Sequence, residues 1–167
     1  MIQMLVDWMT LMNRQFEGDR QSCAEFSDSF AGYFPQNFLA ETYYVVVPKV
    51  PMPAYQFLEE AGFTDLYEQN PAGLTLGNTY YVLPTAKNNL RLHIHELVHA
   101  AQWKLLGVDS FLHRYRYELE RYGYDNMPLE GMAYAVDEHY ALGRRPFDVL
   151  EFVTRELEGN PGDSSGR

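Results

Sequence analysis

With 167 residues, 46% of them hydrophobic, the chain is long enough for one domain with a substantial core and too short to suggest two. A formal charge of -10, from 23 acidic and 13 basic side chains, argues against a phosphate-backbone partner, so nucleic acid is set aside. Cys23 is the only cysteine, which excludes a disulfide framework and a cysteine-based metal knuckle and leaves histidine and carboxylate as ligands for any metal.

In chain order, Met1, Leu5, Trp8, Met9, Met12 and Phe16 recur at three-and-four spacing, which predicts an amphipathic helix over residues 2 to 17 ended by Gly18. The same segment has no basic leader and no small-residue cleavage site, and Asp7 interrupts its apolar stretch, so it does not read as a secretory signal. No run approaches the roughly 18 apolar residues needed to span a membrane. A cytoplasmic chain is the default expectation, and export without a signal would leave no mark on the sequence. A short helix is predicted over Ala24 to Tyr33, then a buried strand in ETYYVVVP at 41 to 48, where the aromatic and β-branched run meets a proline.

Pro53 followed by AYQFLEEAGF predicts a helix over about 54 to 61 stopped by Gly62, and Asn70-Pro71 marks a turn. LTLGNTYYVLP, at 74 to 84, is either a tight hairpin at Gly77-Asn78 or one strand bulged at Gly77. From Asn89 the pattern is helical through Leu106, closed by Gly107, and further helices are predicted at about 110 to 122, 128 to 142 and 146 to 158. The tail from 159 to 167 is poor in hydrophobics and is expected to be disordered. The sum is an α+β domain over 1 to 158: a small antiparallel or mixed sheet of two to four strands packed on a predominantly helical body.

The chemistry concentrates in LRLHIHELVHAAQW, residues 90 to 103. On a helix, His95 and His99 lie one turn apart on one face, so both imidazoles reach a single Zn2+, while Glu96 sits beside the metal as a general base. With 5 His and 14 Glu the five-residue pattern arises by chance in about one such chain in a hundred. Leu97, Val98, Ala101, Leu105 and Leu106 also make the helix apolar, and two buried histidines beside a buried glutamate need a shared partner. His93 is two residues off the metal stripe and reads as an exposed or packing side chain; His113 and His139 lack helical partners. A third protein ligand is required. Glu118, Glu120 and Glu130, which lie 19, 21 and 31 residues past His99, are the candidates, and Glu130 also reads as a helix-start residue after Pro128.

TLGNTYYV (75 to 82), HELVHAAQW (95 to 103) and PLEGMAYA (128 to 135) resemble, in that order, the strand, active-site helix and glutamate helix of gluzincin metallopeptidases, above all the small single-domain minigluzincins. The similarity covers residues 70 to 142 and leaves the first 40 residues and the last helix unmatched. It implies a zincin-like domain that cuts peptide or protein substrates, more as an endopeptidase than an exopeptidase. Zn2+ would be held by His95, His99 and Glu130, with Glu96 as the base. The family's second-shell aspartate, four residues after the third ligand, is Tyr134 here, and Asp137 is the nearest substitute. The resemblance also implies a tyrosine or histidine that stabilises the oxyanion. Tyr115, Tyr117, Tyr122, Tyr124 and Tyr134 are within range, with Tyr124 and Tyr134 named first. It implies too that residues 79 to 83 form the edge on which an extended substrate lies, with Tyr80 and Tyr81 on opposite faces. Gln102 either reaches the site or caps a strand. A terminal segment, residues 1 to 19 or 159 to 167, is a possible cover for the cleft. The alternative function is a non-catalytic zinc fold in which the metal ties two helices together, motivated by the absence of aspartate at 134.

Overall fold

The computed structural model describes residues 2–159; Met1 and the tail expected to be disordered lie outside these, apart from Gly159, which ends the last helix. The chain is α+β. Eight α-helices surround a four-stranded sheet: α1 (Ile2–Gln15), β1 (Gln21–Ser22), α2 (Gln36–Ala40), β2 (Tyr43–Val46), α3 (Tyr55–Ala61), α4 (Thr64–Gln69), β3 (Gly73–Leu76), β4 (Thr79–Val82), α5 (Leu90–Leu106), α6 (Val108–Tyr122), α7 (Pro128–Ala141) and α8 (Val149–Gly159). Among the described residues no helix is long and apolar enough to cross a membrane.

The sheet order is β1-β2-β4-β3. β3 and β4 form a hairpin with Leu76 opposite Thr79, closed by Gly77 at φ +72°, and β2 runs parallel to β4 with Tyr44 beside Tyr80. β4 is therefore interior, and the expected substrate edge at 79 to 83 is wrong. The parallel partner comes from a strand more than thirty residues earlier, a pairing that local pattern does not reveal. β3 is an edge strand, as is β1, and Gly73, Thr75 and Leu76 of β3 are buried. In a two-residue hairpin the closing pair exchanges hydrogen bonds, so Leu74 and Leu76 turn their main-chain groups toward β4. The bond from Leu83 N–H to the Ala72 carbonyl continues that register. Gly73 and Thr75 consequently present theirs on the side away from β4.

Tyr80 and Tyr81 do point to opposite faces. The Tyr81 hydroxyl donates to Asn13 Oδ1 of α1 at 2.7 Å, and Asn13 Nδ2 donates to the Leu76 carbonyl at 2.9 Å, which fixes α1 to the sheet. Tyr80 points toward α5. Its hydroxyl donates to His93 Nδ1 at 2.6 Å, because His93 Nε2–H is committed to the Lys87 carbonyl at 2.7 Å, and the Cys23 thiol lies 3.6 Å from the Tyr80 oxygen. His93 is thus a packing histidine, fully buried.

Where a helix was expected over Ala24 to Tyr33 there is one 3₁₀ turn, Cys23–Phe26, followed by turns. Phe26, Phe30, Tyr33 and Phe34 are all buried there at i, i+4, i+7 and i+8, the spacing of a helical stripe, which is why the pattern reads as a helix although the chain continues in turns. β1, α2 and α4 are short elements the sequence pattern does not announce. The helices carrying the chemistry match expectation closely: α5 starts at an Asn89 cap whose side chain accepts the Leu92 N–H, and α7 starts on Pro128. α5 runs through the centre of the molecule with β3 on one side and α7 on the other, and a contiguous apolar cluster from Leu5 to Leu157 encloses it.

Candidate metal centre

α5 and α7 pack face to face, which brings His95 and His99 of one against Glu130 of the other. All three are buried. His95 Nε2 lies 3.3 Å from Glu130 Oε2, and His99 Nε2 lies 3.3 Å from Glu130 Oε1.

The opposite ring nitrogens determine what those contacts mean. His95 Nδ1 is 2.8 Å from Asp137 Oδ2, a carboxylate that only accepts, so the proton sits on Nδ1. His99 Nδ1 is 2.9 Å from Gln102 Oε1, and the amide is oriented by its NH2 group, which donates to the Leu129 carbonyl at 2.8 Å. His99 is therefore protonated on Nδ1 as well. Both Nε2 lone pairs then face the Glu130 carboxylate, acceptor against acceptor. Among the described residues Glu130 Oε2 is a buried oxygen with no hydrogen-bond partner. Positive charge at the centre, from a metal ion or from protons on the imidazoles, relieves that opposition. Ligand atoms at tetrahedral corners about 2.0 to 2.1 Å from a metal stand roughly 3.3 to 3.4 Å apart; the two N–O separations match that figure, and one ligand atom from each residue lies within 4.8 Å of the others, a grouping compatible with a metal ion.

Electrostatics carry the same message in terms of protons. Burial works against a charged His95, but the hydrogen bonds to Asp137 and Glu130 outweigh it and lift the imidazole to about 10. His99 moves upward as well, with burial opposed first by the Glu130 charge. Burial would raise the Glu130 carboxyl, yet the two histidines hold it well below the usual carboxylate range. The site is organised for positive charge at its centre.

Asp137, the substitute suggested by the sequence, reaches the site: Oδ2 orients His95 while Oδ1 takes Arg91 Nε at 2.9 Å. It sits two turns past Glu130, not one, and still lies on the same face of α7. Gln102 belongs to the site by the same criterion. Glu118 and Glu120 do not. Glu118 is buried, pairs with Arg114 at 3.0 Å, and accepts the Leu129 N–H at 2.8 Å, so it caps the helix that delivers Glu130. Glu120 pairs with Arg116 on the surface.

Glu96 lies one step round α5, buried beside the ligands and clamped against β3. Thr75 Oγ1 donates to Glu96 Oε2 at 2.6 Å, and a Cβ placed on Gly73 would stand 2.8 Å from Oε1. Neither Thr75 nor Gly73 was named from the sequence as a partner of Glu96, although Thr75 opens the strand segment that carries the resemblance.

Two hollows meet at this point and share Pro71, Gly73, His95, Glu96 and Tyr124. One is apolar and runs under α1, α3 and α6; the other is polar, bordered by Asn70, Asn89, Arg91 and Asp137. Tyr124 lines both, and burial together with the neighbouring Glu130 charge pushes its phenol upward. Tyr134 stands 47% exposed with its ring edge-on to His95, centroids 4.9 Å apart. Tyr115 is buried in the apolar wall and Tyr122 is exposed. No protein-family model, curated protein or solved structure matches the chain.

Proposed function

We propose that this chain is a zinc-dependent metallopeptidase, acting as an endopeptidase, with His95, His99 and Glu130 as ligands and Glu96 as general base, in the manner of the small gluzincins it resembles. The observation that carries the reading is the pair of imidazole nitrogens, each 3.3 Å from an oxygen of the Glu130 carboxylate, beside a buried, clamped Glu96 at the junction of two open hollows. Two imidazole nitrogens and one carboxylate suit Zn2+, and three protein ligands leave a further position for water or substrate. Bound zinc supplies Lewis acidity, polarising a peptide carbonyl and bringing the pKa of a water down toward about 7.

The chain's own groups do the rest. Thr75 occupies Glu96 Oε2, which leaves Oε1 to take a proton and pass it to the leaving amine. An extended substrate lying in the hollows pairs with the main-chain groups of Gly73 and Thr75 that face away from β4, the expected mode of recognition moved from β4 to its neighbour. Tyr124, beside Glu130 in the cleft, is the first choice as donor to the developing oxyanion, and Tyr134 against His95 is the second.

A non-catalytic metal fold was motivated by Tyr134 standing where an aspartate was expected, and Asp137 answers that objection. The deciding test is metal analysis and peptide-library digestion of the purified chain beside Glu96→Gln. The expected result is one zinc per chain in both proteins, cleavage by the first, and a loss of 100-fold or more in the second. Zinc without turnover in the unaltered chain would leave the tethering role in its place.

A further inference from the structure

Trp103 lines both the apolar hollow beside the metal ligands and a separate, larger one that contains none of them. The larger hollow has a free volume of about 510 Å³ and is bordered by Arg20, Phe38, Glu41, Tyr43, Lys104 and Val108. Four features give it positive character. Arg20 lies over the Tyr43 ring at 3.8 Å, and Lys104 over the Phe38 ring at 5.6 Å, so each cation is held on an aromatic face. Their ion-pair partners, Glu17 and Glu41, are exposed and stand 4.0 Å away, beyond hydrogen-bond reach. α6 opens at Val108 behind Gly107 with no side-chain cap, which leaves unpaired N–H groups and the positive end of its dipole at this rim. The fourth feature is Trp103 itself. It is 5% exposed and stacked on Phe111 at 3.8 Å, and among the described residues its Nε1–H has no acceptor. Buried donors are paired as a rule, so an unpaired one on a fixed ring marks a place for an acceptor from outside the chain.

The geometry points to a second ligand site in this hollow, one that takes a small organic acid, with its carboxylate held by Arg20, Lys104, the start of α6 and the Trp103 N–H. A carboxylate only accepts hydrogen bonds and has two oxygens, so it can answer the indole and a cation together. The indole's acceptor is assigned to this side because the apolar hollow has no lysine or arginine in its lining, whereas this one has both. A bare anion would leave most of the space unfilled, and hollows of roughly 300 to 1,000 Å³ take whole small molecules. Phe38, Tyr43 and Trp103 give the lining an aromatic share that suits a flat apolar body. An inorganic polyanion fits less well, since Glu41 stands on the same rim and the chain carries a formal charge of -10. The site uses no residue assigned to the metal or to the base, so it stands or falls apart from the metallopeptidase reading.

The chain has two tryptophans, and Trp8 does not border this hollow, so occupancy can be followed at one indole N–H. Benzoate, its uncharged analogue benzamide, and inorganic phosphate would each be titrated into the isotope-labelled full chain while the indole N–H resonances are recorded, with Trp8→Phe identifying the Trp103 signal. Benzoate should move that signal downfield in a saturable way and slow its exchange with solvent, and benzamide should bind roughly tenfold or more weakly. Arg20→Gln and Lys104→Gln should each weaken benzoate by roughly tenfold and leave benzamide unchanged, with Arg20→Lys restoring most of the loss. Trp103→Phe, which keeps the ring and removes the donor, should weaken benzoate several-fold. Equal binding of benzoate and benzamide, or no saturable shift, would overturn the site. A benzoate shift that survives both charge variants would place the ligand on the metal side of Trp103 and overturn it too. Phosphate binding as tightly as benzoate would overturn the assignment to an organic acid.

Discussion

Asp137 and Glu118 show how little of a buried carboxylate's role is written in its own identity. Both lie within a few ångströms of a cation or a donor, yet one orients a ligand and the other caps a helix. Asp137→Asn keeps the shape but weakens the acceptor that holds His95 Nδ1–H. Metal affinity should fall by about 10- to 100-fold with little change in the fold, as competition with a chromogenic chelator would measure. Glu118→Ala should act the other way round. It strands part of the buried Arg114 charge and uncaps the Leu129 N–H, so stability should drop by about 3 to 5 kcal/mol in urea titration. The fraction that stays folded should still bind metal, whereas Glu130→Ala should not. If Glu118→Ala folds normally but emerges without metal, the assignment of the third ligand is wrong.

At the scale of elements, the site is a sandwich of β3, α5 and α7, and its weakest point is the contact of strand with helix at Gly73. A methyl group there would press on Glu96 Oε1, the far end of a flexible side chain, so Gly73→Ala should fold and bind metal normally. Displacing the carboxylate by even a fraction of an ångström should cost activity roughly 10- to 100-fold, measured as kcat on any cleaved peptide. This level also explains what could be read in advance. His95, Glu96 and His99 were legible because helical spacing is local. Glu130 was one of three carboxylates until the resemblance selected it, and Asp137 was visible only as a neighbour in sequence. Thr75 and Gly73 were missed because their partner, Glu96, lies about 20 residues on in another element, and the edge position of β3 because β2 crosses over to pair with β4, contacts between distant segments with no local signature. Glu118 was misjudged as a reserve ligand since its true partner, the Leu129 N–H, lies 11 residues away on another helix.

For the whole molecule, the core encloses several ionisable hydroxyl and thiol groups, among them Cys23, Tyr80, Tyr81 and Tyr115. Burial lifts Cys23 to about 12 and Tyr81 to about 12, and moves Tyr80 and Tyr115 upward as well. Each folded value lies above its unfolded one, so the associated stability is complete below about pH 9, where even the unfolded thiol keeps its proton, and is lost as pH climbs toward 12. Above pH 9 the unfolded chain sheds protons that the folded chain retains. Urea midpoints of the metal-free chain should therefore decline already from pH 7 to 8.5, where the unfolded chain loses the proton that the raised His95 keeps, and more steeply from 9 to 11, where the thiol and phenols add to it. Cys23→Ala should remove the earliest part of that steeper decline, because the thiol has a lower unfolded pKa than the phenols. A midpoint that rose with alkalinity would contradict the burial of these groups.

The cap that Glu118 places on α7 carries a consequence for the order of events in folding. Glu130 follows the capped Leu129 by one residue, so its carboxylate reaches its position only once α6 and α7 have docked around Leu129. The expectation is that capture of the proposed ion falls after the rate-limiting barrier. A ligand that acts after the barrier slows escape from the native state and leaves entry to it unchanged. Stopped-flow refolding with and without zinc should give superimposable folding limbs, while the unfolding limb of the zinc-loaded protein should be displaced downward by the full increment in stability.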